Sequence, residues 1–94
     1  MPESFEETIT LAGDLHARPA GALSVAAAQF ASAVQLAVAG GQADAKSVLA
    51  VMQLGASSGQ QVTVRATGPD ARTAVDTLIG ILSTATAAGA ELGD

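Results

Sequence analysis

Polar and apolar residues alternate in three stretches of this chain, and each alternation predicts a half-buried strand. Thr8-Ile9-Thr10-Leu11 is the first. The second is Ala33-Val34-Gln35-Leu36-Ala37-Val38, with Val34, Leu36 and Val38 directed inward. The third and cleanest runs from Gln61 to Thr67, setting Val62, Val64 and Ala66 against Thr63, Arg65 and Thr67. Gly40-Gly41 is a tight-hairpin signal that leads to a further, weak strand near Gln42–Ala45.

Elsewhere the apolar residues recur at helical spacing. Ala17 to Phe30 is rich in helix formers, with Ala20, Leu23, Ala27 and Phe30 near one face. Its start admits two readings: Pro19 in the first helical position behind an Arg18 cap, or His16 as the cap with Pro19 inside the first turn. Ser47 followed by Val48-Leu49-Ala50-Val51-Met52-Gln53-Leu54 and Gly55 is an N-cap, two helical turns and a glycine stop. Gly68-Pro69-Asp70 opens a last helix whose stripe is Ala71, Ala74, Val75, Leu78, Ile81 and Leu82. Its small, polar tail from Thr84 is expected to fray. The order is β-α-β-β-α-β-α. Strands alternating on one face imply an α+β fold, a sheet with one solvated side and helices on the other.

The middle helix is too apolar for its length. Val51 and Leu54 can face a core together, which leaves Val48, Leu49 and Met52 on other sides. Burying each such side chain is worth roughly 1.5–3 kcal/mol. Either the helix is sunk between loops or a partner covers it.

Composition narrows the classes of function. The 94 residues suit one domain, 1–94. Without cysteine there is no disulfide framework or thiol chemistry. The acidic N-terminus lacks the pattern of a signal peptide, and no apolar run approaches the ~18 residues of a membrane span. A cytoplasmic protein without membrane insertion is expected. Net charge is −5, and the four basic residues (Arg18, Lys46, Arg65, Arg72) are scattered. With no Trp or Tyr, the chain lacks the clustered cations and stacking platforms of a nucleic-acid binder.

His16 is the one histidine. On either reading of the first helix it stands beside the helix N-terminus, where amide N–H groups and the helix dipole attract anions, phosphate above all. Histidine can form covalent intermediates, and the dipole disfavours imidazolium, so a neutral, nucleophilic ring is expected. Arg18 is either a solvated surface residue or a phosphate partner. Ser47 has a structural explanation as the cap, and a phosphate on it would set about −2 charges beside the apolar patch. Metal binding is weakly supported, with a single histidine and carboxylates that show no ligand spacing. Ser24, His16 and Asp14 make a triad only on paper, since no nucleophile-elbow motif accompanies them. Nothing calls for a cofactor.

Three segments together resemble the HPr family, the phosphocarrier proteins of the phosphoenolpyruvate-dependent sugar phosphotransferase system. They are Gly13-Asp14-Leu15-His16-Ala17-Arg18-Pro19-Ala20, the stretch Ala45 to Gly55, and the strand-helix close from Gln61 to Leu82. The resemblance implies an open-faced β-sandwich: a four-stranded antiparallel sheet of order 1-4-2-3 with three helices on one face. It implies that His16 takes phosphate on Nδ1 from phospho-Enzyme I and passes it to an EIIA domain, with Arg18 stabilising the phosphate. Ser47 matches the serine modified in some bacteria by HPr kinase/phosphorylase, and a transcriptional regulator is a further possible partner. The implied partner surface comprises Ala17, Ala20, Val48, Leu49, Met52 and Gln53, on a monomer. One departure stands out. Several members carry lysines on the first helix, whereas residues 19–45 here contain no basic residue.

Overall fold

In the computed structural model, residues 3–92 are described, 85–92 by their backbone alone. The elements follow the order read from the sequence: β1 (Glu3–Thr10), α1 (Ala17–Ala27), β2 (Ala33–Val38), β3 (Gly41–Asp44), α2 (Val48–Gln53), β4 (Gln61–Gly68) and α3 (Ala71–Leu92). The four strands form one sheet in the order β1-β4-β2-β3, antiparallel throughout. Alternation then works as expected. Val34, Leu36, Val62, Val64 and Ala66 are buried, while Gln35, Gln61, Arg65 and Thr67 are exposed. The helices close the apolar side, and the stripe of α3 (Ala71, Ala74, Val75, Leu78, Leu82) joins Leu23 and Ala27 of α1 and Val51 of α2 in one core. No helix among the described residues is long and apolar enough to cross a membrane.

Boundaries moved where distant partners decide them. β1 begins at Glu3, well before Thr8, because β4 offers it an eight-residue ladder from Glu3↔Gly68 to Thr10↔Gln61. Leu11 lies beyond the strand and is buried in the core. The hairpin register pairs Val38 with Gly41, so the turn is Ala39-Gly40 and β3 starts one residue earlier than expected. α2 ends at Gln53, one residue short, and Gly55 takes a left-handed φ of 62° behind it. α3 continues past Thr84 to Leu92.

α1 stops at Ala27 rather than Phe30. Its last turn tightens through bonds from the amides of Gln29 and Phe30 to the carbonyls of Ala26 and Ala27. The next two amides, those of Ala31 and Ser32, are captured by the two oxygens of Asp70, each at 2.9 Å. This pulls the chain off the helix axis and into β2. Where β4 ends, Gly68 has φ 145°, and a Cβ there would lie 2.6 Å from Ser32 Oγ. Only glycine fits that approach.

Candidate functional site

His16 is the N-cap of α1, which settles between the two starts the sequence allowed. Pro19 therefore occupies the third helical position, where its missing N–H is one that the helix leaves without an internal partner anyway. The cap residue's side chain makes no capping hydrogen bond. The imidazole is thus exposed and uncommitted to the helix, at the positive end of the α1 dipole. Arg18 is exposed in the same first turn.

A second loop holds this position. Leu15 is buried, and its N–H donates to Ala56 O at 2.9 Å. The Leu11 N–H donates to Gln60 O, and the Gly59 N–H donates to Leu11 O, both at 2.9 Å. Asp14 Oδ1 accepts the Ser58 N–H at 2.8 Å. Ser58 Oγ donates to Ala12 O. Residues 56–60 therefore clamp the segment before His16, although they lie some forty positions away in sequence. No local pattern in either segment announces the clamp.

Ser47 caps α2, its Oγ accepting the Ala50 N–H at 3.2 Å. Behind it, Val48, Leu49 and Met52 are 42%, 64% and 43% exposed, and Gln53 and Ala17 are exposed as well. The alternative in which α2 is sunk between loops is excluded. Ala20 is a correction. It was expected on the partner surface, but it is wholly buried against the core, because it shares the i, i+3, i+7 face of α1 with Leu23 and Ala27, which is turned inward. Val25, on the outward side of α1, is 67% exposed and went unmarked in the sequence, where a lone valine among alanines carries no signal.

The three cations other than Arg18 are engaged elsewhere in the fold. Arg65 pairs with Glu6 across the open face of the sheet at 3.1 Å. Arg72 lies 5.9 Å over the Phe5 ring. Lys46 donates through Nζ to Phe30 O, fastening the end of the α1 segment to the β3–α2 turn. Ser24 is buried in α1, and its Oγ lacks a hydrogen-bond partner. That position, on the core side of the helix, removes it from any triad. No cluster of metal-ligating side chains occurs among the described residues. A shallow cleft lined by Val38, Gly41, Gln42, Ala50, Gln53 and Leu54 opens between the β2–β3 hairpin and α2, and neither His16 nor Arg18 lines it.

Comparison with known proteins agrees with this arrangement. The model of a family described as "PTS HPr component phosphorylation site" matches residues 3–84. The chain is 41% identical over 69 residues to the phosphocarrier protein HPr of Cupriavidus necator, covering 73% of this chain and 78% of that one. It is 37% identical over 87 residues to a multiphosphoryl transfer protein of Xanthomonas campestris pv. campestris, covering 93% of this chain but only 10% of that much longer protein. Among solved structures, the histidine-containing phosphocarrier protein of Mycoplasma superposes with a TM-score of 0.74 at 32% identity, over 84% of this chain and 90% of that one.

Proposed function

The chain belongs to the HPr family of phosphocarriers of the phosphotransferase system, and from that premise we propose that His16 is the residue that carries the phosphoryl group. The observation that supports this most directly is the exposed, non-capping imidazole at the α1 N-terminus. Nδ1 of the neutral ring attacks phosphorus as the bond to the donor breaks and its electron pair leaves with the donor. Charge then spreads over the three equatorial oxygens, and in this reading the first-turn amide dipoles and the Arg18 guanidinium stabilise it. The return step runs the same path in reverse toward the acceptor. The protein is a carrier rather than a turnover enzyme, its own histidine being phosphorylated in one encounter and emptied in the next.

The donor is phospho-Enzyme I and the acceptors are EIIA domains, met in turn by one surface. Val48, Leu49 and Met52, flanked by Gln53 and Ala17, form its apolar centre beside the histidine helix. A small, transient interface suffices for successive encounters. Phosphorylation of Ser47 would place a dianion at the α2 N-terminus, where the helix tolerates it, and at the edge of the patch, where an acidic partner does not. The protein acts as a monomer in the cytoplasm.

The test is direct. Incubation with phosphoenolpyruvate and Enzyme I from the same cell should give an acid-labile phosphate on the wild-type chain and none on His16→Ala. Equal labelling of the two would remove His16 from the reaction.

A further inference from the structure

We propose that Asp14 is a positioning residue for His16, its carboxylate holding the imidazole proton on Nε2 and so leaving Nδ1 as the nucleophile. The proposal rests on the phosphocarrier role of His16 and adds a residue to it. Asp14 Oδ1 is committed to the Ser58 N–H at 2.8 Å, which fixes the carboxylate plane. Its other oxygen, Oδ2, stands 3.9 Å from His16 Nε2. The His16 N–H donates to Asp14 O at 3.1 Å, closing a three-residue turn that keeps the two side chains together. Leu15, at the centre of that turn, is pinned in the core and bonded to Ala56.

A neutral imidazole has one proton, and the group facing each nitrogen decides which one bears it. A carboxylate only accepts, so it favours N–H on the nitrogen it faces, here Nε2. Nδ1 then keeps its lone pair. When Nδ1 forms its bond to phosphorus, Nε2 retains its proton and the ring becomes an imidazolium. The Asp14 charge lies beside that cation and on the nitrogen away from the phosphate. The role parallels that of the carboxylate that orients a catalytic histidine, here acting through its charge across 3.9 Å rather than through a hydrogen bond.

Because His16 is the only histidine, ¹⁵N spectra of the histidine-labelled protein read this ring alone. Three variants separate tautomer control from mere bracing of the Ser58 loop. Asp14→Asn keeps an oxygen for the Ser58 N–H but offers Nε2 an amide donor, which favours the proton on Nδ1. Asp14→Ala removes both interactions, and Asp14→Glu returns a carboxylate. The wild type should be mainly the Nε2–H tautomer. Asp14→Asn should move the ratio toward Nδ1–H by roughly tenfold, the scale of one pH unit in an equilibrium. Asp14→Ala should fall between, and Asp14→Glu should restore the wild-type ratio in part. Phosphorylation rates with phosphoramidate, whose P–N bond breaks to release ammonia, should follow the same order. If Asp14→Asn keeps the wild-type ratio and rate while Asp14→Ala loses both, Asp14 only braces the loop and the proposal is overturned. The tautomer ratio is read without any phosphate, so it stands or falls separately from the labelling of His16.

Discussion

Asp70 and Ser32 are joined across 38 positions of the chain by hydrogen bonds that run in both directions. Asp70 Oδ1 accepts the Ser32 N–H and the Ser32 hydroxyl, and the Asp70 N–H donates to Ser32 Oγ at 3.1 Å. Oδ2 takes the neighbouring Ala31 N–H. One carboxylate thereby ends α1, starts β2 and fixes the first residue before α3.

This junction has a pH signature. The Ser32 hydroxyl, then the Ala31 amide, holds the Asp70 carboxyl below its ordinary value of 3.8. A group whose pKa is lowered by folding adds stability above its unfolded pKa and loses it as pH falls through the folded one. Asp70→Asn should therefore be less stable than the wild type at pH 6, and the gap should narrow once pH drops below about 4. Urea unfolding at pH 6 and pH 3 measures it; a gap independent of pH would mean the charge contributes nothing.

Gly68→Ala should destabilise the fold. The φ of 145° costs of order 1–3 kcal/mol for a side chain, and the added Cβ would meet Ser32 Oγ at 2.6 Å. Thermal unfolding should show a fall of several degrees, given the size of the domain. An unchanged midpoint would show that the Ala31-Ser32 loop yields freely.

Ser24→Ala should be neutral or slightly stabilising, unlike most core substitutions. The buried Oγ has no partner, so removing it recovers a desolvation cost on the order of 1 kcal/mol. Phosphorylation of His16 should proceed at the wild-type rate. A variant that folds normally but cannot be phosphorylated would return Ser24 to the site.

Ser47 separates stability from docking. Ser47→Ala loses the bond from the Ala50 N–H and should cost about 1 kcal/mol. Ser47→Asp keeps a good cap, so its unfolding midpoint should stay near wild type while its titration against Enzyme I weakens. If both variants bind equally well, charge at this position has no regulatory consequence.

Leu49→Glu should leave stability within about 0.5 kcal/mol, since Leu49 is 64% exposed. The same substitution should weaken docking at least tenfold, about 1.4 kcal/mol. Calorimetric titration against Enzyme I and an EIIA domain checks both encounters; loss of only one would mean the two partners use different surfaces.

The sequence by itself determined the kind and order of every element, because the alternation from Gln61 to Thr67 and the stripe from Ala71 to Leu82 are local patterns imposed by a one-sided core. It also placed the single histidine beside a helix start, and Ser47 at a cap. Only tertiary structure decided that His16 itself is the cap, that Ala20 faces the core, and that β1 reaches back to Glu3. Those outcomes depend on which residue meets which across the fold. The Asp70–Ser32 junction and the Asp14–Ser58 clamp join residues 38 and 44 positions apart. A hydrogen bond between such residues leaves no period in the sequence, since any exposed Asp or Ser reads alike until the chain brings its partner within 3 Å.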